Sequence, residues 1–241
     1  MSGFRPLDWQ IETFRDKSLV LLLDGGSGSG KSRLAAEKVH GYCMKYAGAT
    51  CVIGRKDRAS AAKSVVPMLR YTVQTGQKWG EDKKSDQLFD YSNGSRIYVT
   101  GLKDENQLEA LKSIRGKFGD PDLVWFEEAN ALSLADHETL TTRLRGSVAP
   151  WQQLIYTTNP DSPEHWINKI LIEGGEASRY ASLATDNPFN SEQYISILDG
   201  LTGVRYQKYR LGMWVRAEGV IYKNYNTSKH LIDAYELDVD K

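Results

Sequence analysis

Apolar residues fall in short unbroken runs bounded by glycine or polar residues: "SLVLLL" at 18–23, "TCVIG" at 50–54, "DLVWF" at 122–126, "QLIYT" at 153–157 and "RYASLA" at 179–184. Runs this short and this continuously apolar are the pattern of parallel strands buried on both faces. Between most of them lie segments of helical period: Arg33 to Tyr46, Arg58 to Gln74 with Pro67 as a break or kink, and Leu134 to Leu144. Strand alternating with helix predicts an α/β fold with a doubly wound, mainly parallel sheet. The stretch "DQLFDYSNGSRIYVTGL" differs, because two β-type runs meet at Asn93-Gly94. That pair favours a type I′ turn and predicts an antiparallel hairpin added to the sheet.

After "DNPFN" at 186–190 the pattern changes to short, aromatic and basic helices with no further strand. The expected organisation is a core over residues 1–186, a small, mostly helical subdomain over 187–220, and a tail over 221–241 where periodicity is lost.

Composition narrows the partners. The 241 residues can bury one sizeable core, and 31 basic residues balance 31 acidic ones. With no global basic field, any nucleic-acid contact must be local. "KDRASAAK" and "RYQKYR" are the candidate stretches, and each also fits a solvated helix face. Cys43 and Cys51 lack the paired spacing of a zinc site and are expected as buried, reduced thiols. The start "MSGFRPLDWQ" has no apolar leader core, and no stretch reaches the ~18 apolar residues of a membrane span. The expectation is a soluble, intracellular protein without a membrane partner.

The chemistry begins at "DGGSGSGKS". Gly25, Gly30, Lys31 and Ser32 satisfy G-x-x-x-x-G-K-[ST], with a strand before and a helix after. In such a loop, here Gly25, Gly26, Ser27, Gly28, Ser29 and Gly30, backbone N–H groups curl around phosphate oxygens and the helix adds its positive end. Lys31 is expected on the β and γ phosphates, and the Ser32 hydroxyl on Mg²⁺. The bland alternative is a Gly/Ser turn with Lys31 in solvent.

Hydrolysis also needs a metal-side carboxylate and a group acting on water. "DLVWFEEAN" offers Glu127 for the metal and Glu128 for the water, at the strand end where ligands bind in an open sheet. A solvated acidic pair opening a helix is the competing explanation. "QLIYTTNP" ends in Thr157, Thr158 and Asn159, a polar strand end suited to sensing the γ-phosphate, or an ordinary turn.

In order and separation, "GGSGSGKS", "SIRGKFGDPDLVWFEEAN", "YTTNP" and "DNPFN…YRLGMWVRAEGVIY" resemble the ATPase half of the large terminase subunit of tailed bacteriophages, the motor that packs DNA. The likeness runs from about Gln10 to Tyr222. It implies a P-loop NTPase of the ASCE type that hydrolyses ATP with Mg²⁺. Its partners would be double-stranded DNA, the portal of the procapsid and the small terminase subunit. The setting would be host cytoplasm at the portal, as a homo-oligomeric ring or, in isolation, a monomer.

Individual roles follow from the same resemblance. Gln10 matches a glutamine that reads the adenine edge, and Thr158 and Asn159, with Thr157, match a coupling segment at the nucleotide. Arg115 matches an arginine acting in trans on a neighbour's ATP, with Arg33, Arg55, Arg143 and Arg145 as competitors. Arg205, Lys208 and Arg210 would form the basic face of a lid. Two departures stand out: the phosphate loop lacks the arginine many relatives carry, and the nuclease domain with clustered aspartates has no counterpart here. No nuclease activity is expected from this chain, which reads as an excised domain. A non-motor nucleotide switch or small-molecule kinase is the alternative.

Overall fold

The computed structural model describes residues 4–75, 78–83, 88–116 and 119–216. The apolar runs become strands β1 (Val20–Gly25), β2 (Thr50–Gly54), β6 (Leu123–Glu127), β7 (Gln153–Thr157) and β8 (Ser178–Ser182). Between and around them stand helices α1 (Asp8–Arg15), α2 (Lys31–Lys45), α3 (Arg58–Lys63), α4 (Val65–Met68), α5 (Glu105–Ser113), α6 (Leu134–Arg143) and α7 (Glu192–Asp199). Strands β3 (Gly80–Lys83), β4 (Leu88–Tyr91) and β5 (Arg96–Thr100) complete one sheet in the order β3-β4-β5-β2-β6-β7-β1-β8.

From β5 to β8 every neighbouring pair is parallel, whereas β3–β4 and β4–β5 are antiparallel. The phosphate-loop strand β1 and the carboxylate strand β6 are separated by β7, the inserted strand that defines the ASCE type of P-loop fold. Its last residue, Thr157, pairs in register with Leu23 on one side and Glu127 on the other.

Continuous apolar runs make sense in this sheet because successive side chains feed opposite cores. Leu21, Leu23, Ile53, Trp125 and Ile155 pack on one face with α2 and α4, and Leu22, Val52, Val124, Phe126, Leu154 and Tyr156 on the other with α5 and α6. Each such side chain contributes roughly 1.5–3 kcal/mol of burial. The sheet is therefore rigid where its C-terminal edge carries polar residues.

The expected antiparallel hairpin is present as β4 and β5 and is extended, while two other local expectations are corrected. The hairpin is one part of a three-stranded antiparallel edge, since β3 pairs with β4. Its turn is not type I′: Gly94 has φ +87, but Asn93 keeps a negative φ, and Tyr91 donates its N–H to the Ser95 carbonyl across the turn. The extra residue gives a type I turn closed by a left-handed glycine. The segment 58–74 breaks at Ser64 (φ −120, ψ −73), not at Pro67, and its last turn, Leu69–Val73, is π-helical. Pro67 has no N–H for the Lys63 carbonyl and its ring crowds that group, so the helix restarts with Pro67 in its first turn, where a missing donor costs nothing.

Beyond β8 come α7, a short turn at Gly203–Arg205 and a π-helical turn at Tyr206–Arg210. The tail expected at 221–241 lies outside the described residues.

Candidate nucleotide site

Between β1 and α2 the chain must reverse against β8 and then start a helix. Gly25 (φ +123) lies against the Ser182 backbone with no room for a Cβ, and Gly30 (φ +93) is the left-handed residue before Lys31. Only glycine holds such geometry without strain. The Gly26 N–H donates to the Ser182 carbonyl (2.9 Å) and the Ser27 N–H to the Tyr209 carbonyl (3.0 Å). The stretch that can face an anion is therefore Gly28 to Ser32, at the positive end of a 15-residue helix.

This stretch forms one wall of a cavity of about 390 Å³ at the C-terminal edge of the sheet. The opposite wall carries Glu127 and Glu128 from the end of β6, and Thr157, Thr158 and Asn159 from the end of β7. Ser27, Gly28, Ser29, Gly30, Lys31, Ser32, Glu127, Glu128, Thr158 and Asn159 thus line one cavity. Gly25 and Gly26 shape the loop from behind.

Lys31 folds onto its own loop. Its Nζ donates to the Gly26 carbonyl (2.6 Å), the Gly25 carbonyl and the Ser29 hydroxyl (3.2 Å each), and Asn159 Oδ1 (3.3 Å). Burial pushes its pKa down to about 8, against the opposing pull of Asp24. Asp24 is fully buried, gripped by Arg179 through two bonds (2.9 and 2.8 Å) and by the Trp214 indole (2.9 Å).

The carboxylates differ in setting. Glu127 is 8% exposed, whereas Glu128 sits at φ 54, ψ 50, the one non-glycine residue with positive φ among the described residues. Such a conformation costs on the order of 1 kcal/mol or more and swings the Glu128 side chain into the open cavity. Arg55, at the end of β2, reaches both: its Nε lies 3.1 Å from Glu127 Oε2, and its guanidinium pairs with Glu128. Neither Arg55 Nε nor Glu127 Oε2 makes an aligned hydrogen bond, so that contact is ionic. Glu127, with a buried carboxylate oxygen that has no hydrogen-bond donor, and Ser32 line the same cavity, and hard oxygen groups of this kind fit Mg²⁺.

The end of β7 is wired to both sides. Thr157 Oγ1 accepts from the Trp125 indole (3.0 Å), Thr158 Oγ1 donates to Asn130 Oδ1 (3.1 Å), and Asn159 receives Lys31. Asn130 lies two residues past Glu128, so Thr158 holds the turn that aims the carboxylate.

Two expected residues stand apart. Gln10 is buried, its Oε1 accepting from the Leu7 N–H (3.0 Å) and its Nε2 donating to the Gly30 carbonyl (3.3 Å); it braces the loop from outside the cavity wall. Arg115 lies at the opposite end of the sheet, next to Gly116, which packs on Thr50 at the start of β2. There Arg115, Arg143 and Arg145 surround Asp120 at 3.5, 3.0 and 3.2 Å. Of the competing arginines, Arg33 lines the cavity but pairs with Glu37.

The sequence did not single out Asn187 and Asn190 as binding residues. Their side-chain amides both donate to the Gly28 carbonyl, at 2.8 and 3.0 Å, and both line the cavity. "DNPFN" marks a change of pattern, but nothing local ties it to a loop about 160 residues earlier. The basic face expected on 205–210 is largely neutralised, with Lys208 on Asp161 (2.6 Å) and Arg210 on Asp199 (2.5 Å). Cys43 and Cys51 are buried free thiols, and no helix among the described residues is long and apolar enough to cross a membrane.

The family model described as phage terminase large subunit matches residues 17–214. The PBSX phage terminase large subunit of Bacillus subtilis is 27% identical over 142 residues, covering 50% of this chain and 31% of that protein. A large terminase from a thermophilic bacteriophage superposes with a TM-score of 0.75 at 20% identity, over 97% of this chain and 60% of that one. The same phage protein has also been solved with ADP and with ATP-γ-S. The large terminase ATPase domain of Thermus phage P74-26 superposes with a TM-score of 0.59 at 14% identity, over 88% of this chain and 95% of that one. The chain thus spans less than two thirds of the PBSX protein and of the terminase solved with both nucleotides.

Proposed function

The chain belongs to the phage terminase large subunit family, and from that premise we propose that it is an ATP hydrolase whose turnover drives double-stranded DNA into a procapsid. The observation that carries this reading is the single cavity in which a phosphate loop, two carboxylates and the polar end of the inserted strand converge. In this reading the N–H groups from Gly28 to Ser32 hold the phosphates of ATP. Lys31 leaves the Gly25 and Gly26 carbonyls for the β and γ phosphates, where its charge is better compensated. Ser32 and Glu127 would hold Mg²⁺, which would supply charge neutralisation at the transferred phosphoryl group.

Glu128 orients and deprotonates the attacking water. Because Arg55 holds Glu128, nucleotide must draw the carboxylate away from the guanidinium before it can take a proton. Thr158 and Asn159 sense the γ-phosphate: Asn159 touches Lys31, Thr158 touches the turn after Glu128, and loss of phosphate changes both. Gln10, buried behind the loop, reads the adenine edge only by exchanging its bonds to the Leu7 N–H and the Gly30 carbonyl for the base. Residues 187–220 act as the lid, with Asn187 and Asn190 tying it to the loop. The portal, the small terminase subunit and further copies of this chain are the partners the reading implies. A small-molecule kinase would need free lid cations, and Lys208 and Arg210 are engaged by Asp161 and Asp199.

The test is ATP turnover with and without double-stranded DNA at rising protein concentration. Motor function requires stimulation by both, and turnover indifferent to both sinks it. Lys31→Ala should abolish productive binding. Glu128→Gln should bind ATP normally and lose at least about a hundredfold in turnover, and normal hydrolysis by that variant would remove Glu128 from the role of base.

A further inference from the structure

A second cavity, of about 340 Å³, lies at the other end of the sheet, where β1 and β7 begin. Its wall is aromatic: Trp151 meets Tyr42 edge-on with ring centroids 4.8 Å apart, and Tyr42 meets Tyr46 at 4.8 Å. The Tyr42 hydroxyl donates to the Trp151 carbonyl (2.8 Å) and the Trp151 indole to the Tyr46 hydroxyl (3.0 Å), which fixes the rings. Around them stand Arg15, Lys17, Lys38 and Lys45, and no carboxylate among the described residues lines the cavity. Asp16, between Arg15 and Lys17, turns its carboxylate to Ser18 and Ser178.

Lys38 is buried to 3% exposure, donates to the Thr13 and Asp16 carbonyls at 2.9 and 2.5 Å, and stands 5.7 Å over the Trp151 ring. Burial disfavours the Lys38 charge and pushes its pKa down to about 8, and the Asp16 carboxylate partly offsets that, so the accessible positive charge of the site comes from the exposed Arg15, Lys17 and Lys45. Gly41 lines the cavity from the interior of α2, where glycine costs about 1 kcal/mol relative to alanine. Packing does not demand it, since a Cβ there would meet only the Phe14 ring edge at 3.4 Å. The missing side chain keeps the cavity deep.

Three exposed cations, preorganised aromatic rings and a lining without an acid are complementary to one kind of ligand: an anion joined to a flat, stackable ring. The volume admits one such unit and excludes a duplex. We propose that this cavity is a second nucleotide-binding site, taking a single nucleoside phosphate by its phosphate on Arg15, Lys17 and Lys45 and by its base on the Trp151–Tyr46 wall. It is separate from the phosphate loop and does not depend on hydrolysis there. The nucleotide can be free or the exposed unit of a single strand, two sources with the same chemistry.

The test uses the full chain carrying Lys31→Ala, so that the phosphate loop does not contribute. A 5′-labelled short oligothymidylate is titrated at low salt by fluorescence anisotropy, with thymidine 5′-monophosphate and unphosphorylated thymidine as competitors. Adding Gly41→Leu fills the floor and adding Lys45→Glu reverses one charge. Each should weaken binding about tenfold, while Gly41→Leu keeps or raises the melting temperature, so unfolding does not account for the loss. Thymidine should fail to compete. Competition by the monophosphate assigns the site to a free nucleotide, and its failure beside tight strand binding assigns it to a strand. Unchanged binding in both variants, or no binding of either probe by the parent, overturns the proposal.

Discussion

Lys31 is a cation stored in a place that disfavours its charge. With burial lowering its pKa to about 8, a growing fraction of the free protein carries a neutral amine as pH rises through that value. Phosphates favour the ammonium, so the bound pKa lies higher and binding takes up a proton. ATP affinity should therefore be flat below about pH 7.5 and weaken by up to about tenfold per unit above pH 8. Titration calorimetry at about pH 9 in two buffers of different ionisation enthalpy should show proton uptake approaching one per nucleotide. Affinity indifferent to pH over that range would mean that Lys31 does not reach the phosphates. Glu128 shows the same logic in the backbone: its left-handed conformation and its Arg55 partner hold a carboxylate where it is costly, at the one point where it can reach into the cavity.

At the scale of elements, α2 links the phosphate loop to the edge of the sheet. Its last carbonyls have no intrahelical partners, and the β4–β5 turn supplies them: Asn93 Nδ2 donates to the Cys43 carbonyl at 2.8 Å while its Oδ1 accepts from the Ser95 N–H at 3.1 Å. Asn93→Ala should cost about 1 kcal/mol, read as a lower urea midpoint at unchanged slope; Gly94 still makes the turn, so an unchanged midpoint would rule out the capping role. The same turn shows what was legible in the sequence. Asn-Gly announced a hairpin because its chemistry is local, but its turn type was not readable, since Asn93 is held by a helix end about fifty residues away. β3 was invisible because "GEDK" is a polar edge strand with no buried face to impose a pattern. The phosphate loop, both glutamates and the Thr-Thr-Asn end were legible because glycine geometry and apolar-to-polar strand ends are written in adjacent residues. Asn130, Asn187 and Asn190 were not, and Arg55 was legible only as one of several candidate arginines, because each acts through a contact that exists only once β2, β6 and residues 187–190 have been brought together.

Across the whole molecule, charge is divided between the two ends of the sheet. The cavity end holds the carboxylates and the phosphate loop; the other end holds Arg115, Arg143 and Arg145 around one aspartate, and the Arg15–Lys17–Lys45 rim. Five residues of β6 separate Arg115's end from Glu127, roughly 13 Å at about 3.3 Å per residue, so Arg115 cannot touch the nucleotide of its own subunit. A head-to-tail ring, in which one surface of each copy meets a different surface of the next, is the arrangement that lets it reach a neighbour's nucleotide. Its side chain is 71% exposed, and it shares Asp120 with two other arginines, so little holds it in place. Arg115→Ala should then bind ATP as the parent does and lose about a thousandfold in turnover. Mixed with Glu128→Gln, which carries an intact Arg115, it should recover activity, because about a quarter of the interfaces in a random ring pair an intact arginine with an intact glutamate. Two inactive proteins that stay inactive when mixed would assign Arg115 to holding Asp120 and would leave Arg55, already on both carboxylates, as the arginine that serves the site from within.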